Sequence, residues 1–403
     1  MPDTGQVIRN ADGAGSTGGA GSTDAPAGLD GVVVARTRIG DVRGLEGCYY
    51  YRHYDAIELS SHRTLEDVWH LLFRGHLPDQ AERAAFQRQA AGHRVLPEDL
   101  IPFLRTLAST DPFDPMAALR TAISFVAQRS GFRSWLDIPP DQLYDNAVQL
   151  SAQTPVLLAA LHRLHRGQEP VAGDPGLSAA ASYLFMLSGE HPDPQHVWAL
   201  ERYLISTIDH GFNPSTFTAR VIASTGADLG AAVTGAIGAL SGPLHGGAPS
   251  RVLDMLDDIG TPDRAQAWVR DAVLRGDKIM GFGHRAYKGK DPRSALLREV
   301  ADTLGGRTAE FAAAVEDTIV GVLAEMKPGR ALNSNVEFYA SVVMDACGIP
   351  REMFTPTFAS SRVIGWCTHV LEQVSGNRVI RPSARYDGQP PEPVPLSDEM
   401  TQA

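Results

Sequence analysis

The chain has little cysteine, little lysine and no long apolar run. Its three cysteines, Cys48, Cys347 and Cys367, are too few and too scattered among 403 residues for a disulfide framework or a cysteine-based zinc site. They read as buried or free thiols. No hydrophobic stretch approaches the roughly 20 residues that cross a bilayer, and the N-terminus lacks the basic-then-apolar pattern of a secretory signal. A cytoplasmic protein with no membrane partner is the expectation. A net charge of −11 argues against nucleic acid as a partner, because phosphate contacts need a basic face. The only lysines are Lys278, Lys288, Lys290 and Lys327, and the first three surround His284. Either chance or a phosphate-bearing ligand explains that cluster.

Strand signals are also scarce. Gly31–Ile39 and Gly47–Arg52 carry β-branched and aromatic residues in short runs, which predicts one or two small strands. Residues 1–28, rich in Gly, Ala, Ser and Thr, lack the apolar side chains to offset the entropy of ordering and are expected to form a disordered tail. From Thr64 onward the pattern is helical. Thr64 with Asp67 resembles a capping box, Val68, Leu71 and Leu72 follow at helical spacing, and Gly75 with Pro78 ends the segment. Further helices are predicted at 79–91, 117–129, 140–166, 177–187, 194–209, 216–240, 249–258, 262–275, 292–304, 309–326, 336–347 and 359–374. The fold class is therefore mainly α. Gly226, Gly230, Gly235 and Gly238 lie near helical spacing within 216–240, which predicts close approach to a neighbouring helix.

Three of the thirteen histidines stand in polar, glycine-rich turns: His210 before Gly211, His245 in Gly242–Ala248, and His284 in Gly281–Arg293. The other ten, His70, His76 and His369 among them, sit among ordinary surface-like or amphipathic residues and read as structural. His245 is either part of an ordinary Pro/Gly turn or a neutral donor beside the positive end of a helix. A metal site is not expected, since no short motif such as His-Glu-x-x-His is present. Glu337, in Asn335–Tyr339, interrupts an otherwise apolar helix start. It is either a desolvated acid/base group or a first-turn acid that complements the helix dipole.

Taken in order, Gly-Pro-Leu-His-Gly-Gly-Ala at 242–248, Gly-Phe-Gly-His-Arg-Ala-Tyr-Lys…Asp-Pro-Arg at 281–293, Asn-Val-Glu-Phe-Tyr at 335–339, Ser-Arg-Val-Ile-Gly-Trp at 361–366 and Arg-Pro-Ser-Ala-Arg-Tyr at 381–386 resemble the successive motifs of the citrate synthase family. The likeness extends over roughly residues 30–388. It implies a two-domain multi-helical fold, with a large domain of 29–245 plus 346–390, a small domain of 246–345, and tails at 1–28 and 391–403. It also implies a homodimer that condenses acetyl-CoA with oxaloacetate, or propionyl-CoA in the relatives that make 2-methylcitrate, without metal or other cofactor.

By motif, His245 would hydrogen-bond the thioester carbonyl, Glu337 would remove the α-proton and His284 would protonate the ketone. Arg293, Arg362 and His210, with Arg381 contributed across the dimer, would hold the oxaloacetate carboxylates. Ile279, Met280, Gly281 and Phe282 would hold the adenine, and Lys288 the CoA phosphates. Glu337 departs from the family's usual Asp. The extra methylene moves the carboxylate by about 1 Å, a displacement worth on the order of a hundredfold in rate unless the backbone compensates. A weakly catalytic regulatory relative that binds acyl-CoA or oxaloacetate is the alternative this substitution raises.

Overall fold

The computed structural model describes residues 24–246, 249–284 and 286–394. Most of both expected tails, together with Gly247, Ala248 and Arg285 of the motifs, lies outside the described residues. The chain forms two compact units. The terminal one, described over 24–36 and 380–394, holds a single 3-10 turn, Ala27–Leu29, and an ion pair of 3.0 Å between Arg385 and Asp24. Arg381 is exposed in a stretch of this unit without regular secondary structure.

The second unit, Thr37–Val379, begins with an antiparallel sheet of β1 (Gly40–Arg43), β2 (Cys48–Tyr51) and β3 (Tyr54–Asp55), in the order β1-β2-β3. Helices follow: α1 (Ala56–His62), α2 (Leu65–Arg74), α3 (Gln80–His93), α4 (Ile101–Ala108), α5 (Pro115–Arg129), α6 (Pro140–His165), α7 (Ala179–Ser188) and α8 (Pro194–Thr207). After these come α9 (Pro214–Ser224), α10 (Leu229–Leu240), α11 (Pro249–Ile259), α12 (Ala265–Arg275), α13 (Pro292–Leu304), α14 (Arg307–Met326), α15 (Val336–Ala346) and α16 (Phe354–Ser375). The mainly α expectation holds. Among the described residues, no helix is long and apolar enough to cross a membrane.

Three local expectations are corrected. The strand predicted at Gly31–Ile39 lies instead at Gly40–Arg43, because the hairpin register pairs Gly40 with Tyr51 and Arg43 with Cys48. Pairing outweighs β-propensity there, and Val33 is left 84% exposed. The single helix predicted over 216–240 is two, α9 and α10, broken at Gly226, whose φ of +92° suits a glycine turn. Close approach is confirmed at two of the four glycines: a Cβ on Gly230 would stand 2.1 Å from the Ala127 Cβ, and one on Gly235 would stand 2.2 Å from the Ile222 Cδ1. Helices α1 and α4 went unpredicted. Asp55 caps α1 by accepting from the backbone of Ile57 and Glu58.

At the centre runs α16, which packs against α6, α8, α9 and α10. Val363, Trp366 and Cys367 are fully buried in it, and burial of a large aliphatic or aromatic side chain stabilises by about 1.5–3 kcal/mol. Gly365 permits this central position, since a Cβ there would stand 2.1 Å from the Ile208 carbonyl oxygen. The backbone leading into His210 is thereby pressed against the helix that carries Arg362.

Candidate active site

Two loops that carry sequence motifs are joined backbone to backbone. Gly283 N–H donates to the Asn333 carbonyl and Asn335 N–H to the Gly281 carbonyl, each at 2.8 Å. The Asn335 side chain donates to the Gly283 carbonyl at 2.8 Å and accepts from Glu337 N–H at 3.0 Å, capping α15. The segment before His284 and the helix start bearing Glu337 are thus one rigid piece. On its other side, the loop leans on the β1–β2 turn, where Lys288 N–H donates to the Gly44 carbonyl at 3.2 Å.

Asp291 caps α13 and holds Arg293 through two side-chain bonds, Nε to Oδ1 at 3.0 Å and Nη2 to Oδ2 at 2.8 Å. It also accepts from Val336 N–H at 3.0 Å, which ties α13 to α15. Burial alone would raise the Asp291 pKa, but the Arg293 guanidinium brings it below its ordinary value. The resemblance assigned this guanidinium to a substrate carboxylate, yet Asp291 occupies its Nε–H and one Nη2–H, leaving Nη1 and the second Nη2–H.

His284 Nδ1 accepts from the backbone N–H groups of Ala286 at 3.0 Å and Tyr287 at 3.2 Å. Burial first, and then Arg293, lower its pKa to about 4. The neutral ring therefore carries its proton on Nε2, which lies 3.2 Å from Arg293 Nη2, also a donor. A carbonyl or carboxylate oxygen entering between them would satisfy both. His210 packs edge-on to His284 with ring centroids 5.3 Å apart, and its Nε2 lies 2.9 Å from the Tyr287 hydroxyl. Burial, followed by Arg293 and His284, pushes its pKa well below the usual imidazole range.

His245 sits against the N-terminus of α9, whereas the helix end expected beside it was that of α11, the segment that follows it in sequence. Ser215 N–H points at His245 Nε2 at 3.4 Å, and the Ser215 hydroxyl lies 2.8 Å from the same nitrogen. A backbone N–H can only donate, so Nε2 is the acceptor and the proton resides on Nδ1. The Ser215 oxygen is itself fixed by Trp366 Nε1, which donates at 3.1 Å. Burial, and secondarily Arg362, lower the His245 pKa to about 4. Glu337 is displaced the other way: burial raises it to about 7, against the opposing pull of Arg293.

Arg362 is 2% exposed, donates from Nε to the Thr207 carbonyl at 2.8 Å, and lies over the Phe358 ring at 4.6 Å. Among the described residues it has no ion-pair partner within 4.0 Å. A buried, unpaired guanidinium is costly and is stabilised by an anion that docks against it. Asp209 is instead occupied elsewhere: it accepts from His369 Nε2 at 3.0 Å, and the other ring nitrogen of His369 accepts from Arg220 at 3.0 Å. His369, read with nine other histidines as structural, is fully buried. The available signal was its place seven residues after Arg362, on the same face of a helix that is otherwise apolar there.

These groups border a cleft of about 900 Å³. His245, His284 and Glu337 line it, as do Ile279, Met280, Gly281, Phe282 and Lys288, whereas Arg293 and Arg362 are buried and His210 is half-buried outside its lining. Lys278 and Lys327 also line it and Lys290 does not, so the lysine cluster is redrawn in space. Arg330 is a further lining cation that the sequence reading missed.

The family model described as "Citrate synthase, C-terminal domain" matches residues 28–383. A citrate synthase of Haloferax volcanii is 40% identical, covering 90% of this chain and 95% of that protein. A 2-methylcitrate synthase of Mycobacterium tuberculosis is 36% identical and covers 91% of both chains. Among solved structures, the Thermoplasma acidophilum citrate synthase, in ternary complex with carboxymethyl coenzyme A and oxaloacetate, matches with a TM-score of 0.85 and 27% identity over 94% of this chain and 100% of that one. The chain therefore belongs to the citrate synthase family of acyltransferases.

Proposed function

We propose that the protein condenses acetyl-CoA with oxaloacetate and water to give citrate and CoA, using Glu337 as base and His245 and His284 as donors. The observation that carries this reading is the opposed poise of the cleft groups. A carboxyl held near 7 faces the same space as two imidazoles held near 4, and each imidazole has one ring nitrogen committed to backbone N–H groups.

Glu337 takes a proton from the acyl α-carbon while His245 Nδ1–H donates to the thioester carbonyl, giving the enol. A base tuned near the working pH contributes typically 10²–10⁴-fold, and one preorganised donor at a developing oxyanion about 3–4 kcal/mol. The enol carbon then attacks the ketone carbon of oxaloacetate. His284 Nε2–H delivers its proton to the ketone oxygen, and water hydrolyses the resulting thioester to release CoA. Arg362, Arg293 through Nη1, and His210 hold the oxaloacetate carboxylates. Ile279, Met280, Gly281 and Phe282 hold the adenine and Lys288 the CoA phosphates.

The working unit in this reading is a cytoplasmic homodimer in which Arg381 reaches the partner's site, and residues 246–345 close over the substrates as a small domain. No cofactor beyond the substrates takes part. Acetyl-CoA with a trideuterated methyl group tests the chemistry. Citrate carrying two deuterons, formed only when oxaloacetate is present, is the expected product, and no citrate above background refutes the reading.

A further inference from the structure

Away from the cleft, the turn between α2 and α3 gathers His70, His76 and Glu82, whose potential ligand atoms all lie within 4.8 Å of one another. None of the three lines the cleft. His70 is buried on α2, packed edge-on to Phe86 at 5.5 Å and to His76 at 5.2 Å, and its Nδ1 donates to the His76 backbone carbonyl at 3.1 Å. A carbonyl bond of this kind is what orients a metal-ligating imidazole and leaves the second ring nitrogen as its acceptor. Among the described residues that second nitrogen has no hydrogen-bond partner.

His76 Nε2 lies 2.9 Å from Glu82 Oε1, and the other Glu82 oxygen is held at 3.0 Å by Asp79 N–H in the capping box of α3. The capping box accounts for Glu82, but it gives no reason for a buried histidine to face this pair. Arg74, at the end of α2, is stacked over the Tyr144 ring at 3.7 Å.

We propose that His70, His76 and Glu82 form a binding site for one divalent transition-metal cation of the zinc type, with two imidazole nitrogens and one carboxylate oxygen as ligands and water completing the shell. Neutral imidazole and carboxylate suit such an ion, and tetrahedral bonds of about 2.0–2.2 Å bring ligand atoms roughly 3.3 Å apart. Rotation of the exposed His76 supplies the necessary contraction. Any proton that His76 shares with Glu82 leaves to solvent as the cation enters. The bound ion would clip the end of α2 to the first turn of α3. The sequence concealed the set because six positions separate each ligand from the next, across a helix end and the Gly75–Pro78 turn.

The test is calorimetric titration of zinc into the EDTA-stripped full chain at constant pH, beside thermal melts with and without zinc. One equivalent bound and a raised melting temperature are expected. In His76→Ala, affinity should fall by more than the roughly 10–100-fold that loss of an orienting partner costs, and the thermal shift should vanish, with condensing activity unchanged. His76 is exposed, so the variant keeps the fold. Absence of a one-to-one event in the parent protein, or zinc held equally well by His76→Ala, overturns the proposal.

Discussion

Replacing Glu337 with Gln should make the protein more stable while removing its activity. Burial holds this carboxyl near 7, against an ordinary 4.5. Below pH 4.5 it is protonated in both the folded and unfolded states and imposes no penalty. Between 4.5 and 7 the folded state retains a proton that the unfolded state has lost, so its contribution to stability falls as pH rises. At 1.36 kcal/mol per pH unit, the difference amounts to about 3 kcal/mol once pH exceeds 7. A neutral isostere avoids that penalty. Glu337→Gln should therefore gain up to about 3 kcal/mol at pH 8 and almost nothing at pH 4.5, as read from urea denaturation at the two pH values.

Its CoA release should fall by at least the roughly 10²–10⁴-fold attributed to a general base. In the parent protein kcat/KM should drop about tenfold per unit below pH 7, because the base must be ionised. Equal stabilities at pH 8, or turnover within tenfold of the parent, would refute the assignment.

Ser215→Ala removes the hydroxyl between Trp366 and His245, and the orphaned indole N–H should cost about 1–3 kcal/mol of stability. Its kcat should fall more than the KM for either substrate changes, in steady-state kinetics with each substrate varied. Arg362→Met removes a buried charge that has no ion pair among the described residues, so the free protein should melt at the same or a higher temperature. The KM for oxaloacetate should meanwhile rise by roughly 10–100-fold, the worth of a lost charge-assisted hydrogen bond. Gly365→Ala sets a methyl 2.1 Å from the Ile208 carbonyl oxygen. Forcing α16 away should cost at least about 1–3 kcal/mol, measured by denaturation.

Much of this arrangement was legible because motif order survives in one dimension. The helical class followed from apolar spacing and from caps such as Thr64 with Asp67. The strand predicted at Gly47–Arg52 is β2, but the first strand was misplaced because pairing with Cys48–Tyr51, a nonlocal choice, decides which residues extend. The partners of His369, which was read only as structural, were hidden for a related reason: Asp209 and Arg220 are about 150 or more residues away in sequence. The commitment of Arg293 to Asp291 was hidden in plain view, two residues apart in Asp291-Pro292-Arg293, since nothing in composition shows a side chain turning back on its own helix cap. The tautomer of His245 needed coordinates as well, because it depends on the direction of a single backbone N–H.

The central claim is that this cleft makes a carbon–carbon bond and distinguishes acyl groups. Thiol release by the purified full chain, with acetyl-CoA and propionyl-CoA compared at equal concentration with and without oxaloacetate, tests it most directly. Oxaloacetate-dependent release that favours acetyl-CoA is predicted, by the roughly 10–200-fold that one methylene is worth in a fitted pocket. Faster release from propionyl-CoA would make the protein a 2-methylcitrate synthase. No release, with both ligands still bound, would contradict the catalytic account and leave a binding protein in its place.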